Sequence, residues 1–166
     1  QQITETKYNK LITNHECSLG LIVRKPNMKP STVGYVLAGP RRFLHFDPQN
    51  VNAAIVTCGG LCPGLNNVIR EIVNSLYQLY GVQGKIYGIQ GGYRGFWDFD
   101  NYMPIELTPK LVANIHHEGG TVLGSSRGGF DLDKILEFLK SKKINCLFVI
   151  GGDGTHRGAF KIHEGC

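Results

Sequence analysis

The sequence predicts an α/β fold: a parallel sheet covered by helices on both faces, three layers deep. Two observations carry that reading. Residues 53–58 (AAIVTC) and 144–150 (INCLFVI) are short apolar runs without alternation, as expected of parallel strands buried on both sides. Each run leads into a glycine-rich loop, and helical spacing resumes after it.

Residues 1–50 carry the weaker signals and read as an extension packed on the domain, with residues 51–166 as an α/β lobe incomplete at its C-terminal end. In the extension, residues 20–23 (GLIV) and 33–37 read as strands, and residues 41–46 alternate weakly. Asp47 and Pro48 read as a turn or helix start. After the first glycine loop, apolar residues recur at Leu65, Val68, Ile69, Ile72, Val73, Leu76 and Tyr77, one face of a helix that Gly81 stops. Residues 85–89 form the next strand, and the loop QGGYRGF (90–96) follows it. Thr108 and Pro109 supply an N-cap and an N1 proline for a helix through Ile115, ended by Gly119 and Gly120. Residues 121–129 read as a short extended piece and a flexible loop. Asp131 caps a helix that buries Leu132, Ile135, Leu136 and Leu139, residues 144–150 are the clearest buried strand, and a last helix starts near Thr155. The order β–α–β–α–α–β–α makes the sheet Rossmann-like. Its ligands bind beyond the carboxyl ends of the strands, the edge where the glycine clusters fall.

Composition bounds the function. The chain has 166 residues, enough for one domain with a proper core, and its 42% hydrophobic and 19% charged residues are those of a globular protein. No apolar run approaches the ~20 residues that span a bilayer, and no basic-then-apolar signal segment opens the chain. It starts on Gln1 rather than Met and stops at Cys166 directly after an expected helix, which reads as a fragment whose targeting peptide could be missing. The net charge of +5 is spread thinly, without the basic stripe and interleaved aromatics of a nucleic-acid surface, and an anionic small substrate accounts for it equally well. Five cysteines without a CxxC spacing argue against disulfide frameworks and zinc sites, and for reduced thiols in a cytosolic-type compartment. The six scattered histidines, including His116 and His117, read as packed or solvated rather than as a metal site.

The first loop, TCGGLCPGLN (57–66), spaces Gly59 and Gly64 like a Walker A loop but follows them with Leu65 and Asn66, not Lys and Ser or Thr. That removes the lysine and the metal-binding hydroxyl, and leaves either an anion nest or a tight strand-to-helix turn. The second loop, GGDGT (151–155), is more specific. Gly152 and Gly154 let the backbone approach a phosphate, Asp153 is placed to reach Mg²⁺, and Thr155 can cap the helix or touch phosphate. The competing reading is an Asx-type turn with a capping threonine.

Four segments together resemble the N-terminal half of a 6-phosphofructokinase: TCGGLCPGLNNVIR (57–70), GIQGGYRGF (88–96), GGTVLGSSRGG (119–129) and FVIGGDGTHRGA (148–159). The resemblance runs from about Gly39 to Cys166, and Leu61 with the lead-in AGPR (38–41) resembles the plant and protist branch allied to the pyrophosphate-dependent enzymes. It implies a nucleotide-binding lobe in which Gly59 and Gly60 contact phosphates, Tyr93 lies against the nucleotide, and Arg127 and Gly128 grip the phosphate chain. Gly152, Asp153, Gly154 and Thr155 would cradle that chain, with Asp153 on Mg²⁺ and Arg127 stabilising charge in the transition state. Pyrophosphate-dependent members tend to carry Asp where Gly154 stands, which crowds out the α-phosphate. ATP is therefore favoured over pyrophosphate.

The implied reaction is transfer of ATP's γ-phosphoryl to fructose 6-phosphate in glycolysis. The resemblance places the catalytic aspartate and most sugar-binding residues beyond Cys166, so this chain alone is expected to be inactive. It also implies a homo-oligomer, dimer or tetramer, in the cytoplasm, or in a plastid if a transit peptide is missing; the charge pattern and the lack of a long apolar run argue against nucleic-acid and membrane partners. A pyrophosphate-dependent enzyme, another GGDGT kinase (NAD or lipid) and a non-catalytic nucleotide-sensing subunit stay open as alternatives. A dinucleotide-binding module would need an acidic residue closing the second strand, where Gln90 stands.

Overall fold

A computed structural model describes residues 12–13, 15–19, 26–27 and 34–166, which fall in two compact units, Gln1–Asp47 and Pro48–Cys166. In the first unit β1 (Cys17–Leu19) pairs antiparallel with β2 (Gly34–Val36), Cys17 opposite Val36 and Leu19 opposite Gly34. The strand expected over residues 33–37 is thus present as β2. The one expected over residues 20–23 lies outside the described residues.

The second unit opens on a short 3₁₀ turn, Pro48–Asn50, and enters β3 (Asn52–Thr57). Ala53 through Thr57 are buried, and their alternation divides the core. Ala53 and Ile55 face one apolar cluster, built with Ile69, Val73, Val112 and Ile115. Ala54 and Val56 face another, built with Phe96, Ile135, Phe138 and Ile162. That requires helices on both faces. On the first side lie α1 (Leu65–Asn74) and α2 (Pro109–Val112), and on the second α3 (Leu132–Ser141) and α4 (Asp153–Gly165).

Among the described residues the sheet has four strands in the order β5 (Ile105–Glu106), β4 (Ile86–Ile89), β3 and β6 (Ile144–Ile150). β4 and β6 flank β3 in parallel, as expected. β5 is antiparallel to β4, so the sheet is mixed; two residues are too short to leave a periodic signal. β6 also departs from expectation. It stands at the edge of the sheet and most of its residues are half-buried, since continuous apolarity reports a two-faced strand but not its neighbours.

The expected helix boundaries largely hold. α1 starts after Gly64 (φ 87°), passes into a π-helical turn over Ser75–Leu79, and the chain turns at Gly81 (φ 69°). Thr108 caps α2 by accepting the Leu111 N–H, but the helix is shorter than expected and resumes as a 3₁₀ turn over Ile115–His117. Asp131 caps α3 by accepting the Lys134 N–H.

Candidate functional site

Every glycine cluster lies at the carboxyl edge of the parallel strands, and three loops there are tied by hydrogen bonds. The Gly59 N–H donates to the Ser126 carbonyl (3.1 Å) and the Ser125 hydroxyl to the Gly59 carbonyl (2.7 Å). The Ser126 hydroxyl donates to the Gly91 carbonyl (2.6 Å), and the Gly91 N–H to the Leu123 carbonyl (2.9 Å). The Thr57 hydroxyl donates to the Gly124 carbonyl (2.7 Å). The loop expected to be flexible over residues 121–129 is therefore a held turn, with its own bond from the Gly124 N–H to the Thr121 carbonyl. Ser125 and Ser126, to which no role was assigned from sequence, do the tying.

Asn66 is another such residue. It is 1% exposed; its amide nitrogen donates to the Glu118 carbonyl (3.1 Å), while its oxygen accepts the Val122 N–H (2.8 Å). It stands where a Walker A loop would place a metal ligand, and instead braces α1 against the turn that precedes the serines.

The loops enclose a cleft of ≈ 450 Å³. All nine candidate residues line it: Gly59, Gly60, Tyr93, Arg127, Gly128, Gly152, Asp153, Gly154 and Thr155. The first loop contributes only through Cys58, Gly59 and Gly60; the start of α1 does not line the cleft. The start of α4 is the one that matters. Its N-cap, Gly152, is extended and no side chain caps the helix; the first helical bond runs from the His156 N–H to the Gly152 carbonyl. The N–H groups of Asp153, Gly154 and Thr155 are left without helical or capping partners at the cleft. Thr155 sits inside the first turn, 7% exposed, and does not cap; the capping-threonine reading falls.

The back wall is aromatic. Tyr93 is 5% exposed and its hydroxyl donates to the Thr155 carbonyl (2.7 Å), which fixes the first turn of α4. Its ring meets Phe130 edge-on, centroids 5.2 Å apart. Burial, and then the nearby Cys58 thiol, push the Tyr93 hydroxyl far above the ordinary tyrosine range, so it stays a donor at any physiological pH. Gly158 permits the close approach: a Cβ there would meet Tyr93 Cε2 at 2.9 Å.

Arg127 and Gly128 (φ 79°) form the opposite lip. Arg127 is exposed and enters no ion pair among the described residues, which leaves its fork for an anion. Two further cations line the cleft, Arg157 and Lys161 on α4. The sequence reading passed over them, although their i+4 and i+8 spacing from Asp153 puts all three on one helix face. The cleft lining thus carries three cations and one carboxylate, a balance that favours an anion.

Burial pushes the Cys58 thiol up to about 11, offset in part by a backbone hydrogen bond from Tyr93. At pH 8 about one thiol in a thousand is then thiolate. Iodoacetamide on the folded protein at that pH should label exposed Cys62 and spare Cys58, with peptide mapping as the readout. Labelling of both at similar rates would show that the back wall opens.

Residues 52–166 match the phosphofructokinase family. The chain belongs to that family. The protein of Arabidopsis thaliana named ATP-dependent 6-phosphofructokinase 2 is 54% identical over 134 residues, 81% of this chain and 29% of the relative. The ATP-dependent 6-phosphofructokinase of Borreliella burgdorferi is 50% identical over 127 residues, 76% of this chain and 28% of the relative. The chain thus spans under a third of these phosphofructokinases. Among solved structures, Pichia pastoris phosphofructokinase in the T-state superposes with a TM-score of 0.60 at 26% identity, covering 80% of this chain and 15% of that one. A pyrophosphate-dependent phosphofructokinase from Marinobacter aquaeolei shares the fold (TM-score 0.61, 20% identity, 69% and 29% covered). Among the described residues no helix is long and apolar enough to cross a membrane.

Proposed function

We propose that this chain forms the ATP-binding lobe of an ATP-dependent 6-phosphofructokinase, which transfers the γ-phosphoryl of ATP to fructose 6-phosphate. The observation that carries this reading is the uncapped N-terminus of α4 opening on the cleft with Gly154 beside it. A Cβ at Gly154 would meet nothing within 4 Å, so space for an α-phosphate is open. The chemistry follows from position and charge. The N–H groups of residues 153–155 would bind phosphate oxygens, helped by the helix dipole. Arg127, across the cleft, would offset charge growing on the transferring group, and the serine ties would hold that arginine's loop in register.

Asp153 fits a role in holding Mg²⁺. It is exposed at the first position of α4 and enters no ion pair among the described residues. Those residues include no group of three or more His, Cys, Asp or Glu side chains able to hold a metal, so its partners would be the donor's own phosphates, the usual case for this ion. Bound there, Mg²⁺ would neutralise phosphate charge. We propose fructose 6-phosphate as the acceptor, a homo-oligomer as the working form, and the cytoplasm or a plastid as its place; two relatives carry "chloroplastic" in their names.

Gly154→Asp tests the donor assignment in the intact protein. The added carboxylate would face the α-phosphate, and the ATP KM should rise at least tenfold, about 1.4 kcal/mol. An unchanged ATP KM would sink the assignment.

A further inference from the structure

We propose that Arg157 and Lys161 form a second cationic arm of the cleft that selects a nucleoside triphosphate over shorter phosphate donors. This rests on the nucleotide reading of the site. Gly154, Arg157 and Lys161 follow one another at i, i+3 and i+7, a single stripe running away from the phosphate-binding start of α4. All three line the same cleft. At 1.5 Å per residue the stripe is about 10 Å long, which exceeds a pyrophosphate and suits a triphosphate with its ribose and base.

Both side chains are exposed, and neither enters an ion pair among the described residues. Lys134 and Lys85, by contrast, are engaged with Asp131 and Glu106. Glu164 and His156 lie with Arg157 and Lys161 on the adjoining outer face of the helix, but the cleft side offers the two cations only Asp153 as a carboxylate. With the phosphate chain laid along residues 152–155 and its α-phosphate beside Gly154, the guanidinium one turn along reaches that α-phosphate from the far side, where its fork bonds two oxygens. The ammonium a turn further reaches the ribose or base edge.

A ladder of three probes reads the two roles separately. Binding of pyrophosphate, tripolyphosphate and ATP, each with Mg²⁺, is measured on the intact protein by calorimetry. Arg157→Gln should weaken tripolyphosphate and ATP about tenfold, through loss of the charge-assisted contact of its fork, and pyrophosphate less than twofold. Lys161→Gln should weaken ATP alone, about threefold. Equal losses on all three probes would reduce the pair to general electrostatics and overturn the proposal, as would no loss on any. A wild-type protein that binds pyrophosphate but not ATP would overturn the nucleotide reading itself. Wild-type ATP binding untouched by either substitution would overturn only the arm.

Discussion

Asp153→Asn in the intact protein is expected to lower kcat about 10²–10³-fold, the usual cost of losing one preorganised charge-stabilising group. The fold should not suffer. The side chain is exposed and caps nothing; as the first residue of α4 it contributes only the modest favourable interaction of a carboxylate with a helix N-terminus, 0.3–1 kcal/mol. A circular-dichroism melt within a few degrees of wild type, beside a collapsed turnover, would therefore assign the loss to chemistry. Raising Mg²⁺ discriminates further, because a carboxylate that helps hold the ion leaves a variant whose residual rate climbs with Mg²⁺ well past the wild-type plateau. An unchanged kcat at the Mg²⁺ concentration that saturates the wild type would remove Asp153 from the reaction.

The same residue marks how far the sequence can be read. A carboxylate between two glycines, after an apolar strand and at the start of a helix, is legible because each part obeys a local rule: apolar run, flexible backbone, helical spacing. Boundaries set by local rules came through for the same reason, as at Thr108, Asp131 and Gly81. What stayed hidden depends on contacts between distant segments. The seryl ties from residues 125 and 126 join loops 35 and 66 residues away, so no spacing announces them. The edge position of β6 depends on which strand lies beside it, and Asn66 brackets a turn more than fifty residues on. Arg157 and Lys161 were within reach, since helical periodicity from Asp153 puts them on its face. The motif drew attention to its first turn, and the cationic stripe lies one turn later.

Gly95→Ala should be among the most destabilising single-methyl changes in this lobe, about 3 kcal/mol, the upper end of what overpacking costs. The family resemblance puts Tyr93 of the GGYRGF segment against the nucleotide, but the segment's last glycine is buried in a 3₁₀ turn, Gly92–Phe96, directly after β4. A Cβ at residue 95 would sit 1.9 Å from the Gln90 carbonyl oxygen, a backbone atom at the end of the sheet that no rotamer change can move. Relief requires displacing the residue 90–92 turn, and the Gly91 carbonyl in that turn receives the Ser126 hydroxyl. Destabilisation should therefore come with weaker ATP binding, because the lip that carries Arg127 is tied through Ser126. Gly60→Ala is the complementary change. A Cβ there would meet nothing within 4 Å, yet the residue lines the cleft, so the urea midpoint should hold while ATP affinity falls. If Gly95→Ala kept the wild-type midpoint in the intact protein, the close packing of the 3₁₀ turn on the sheet end would be wrong. If Gly60→Ala left ATP affinity unchanged, the first loop would belong to the frame of the cleft rather than to its binding surface.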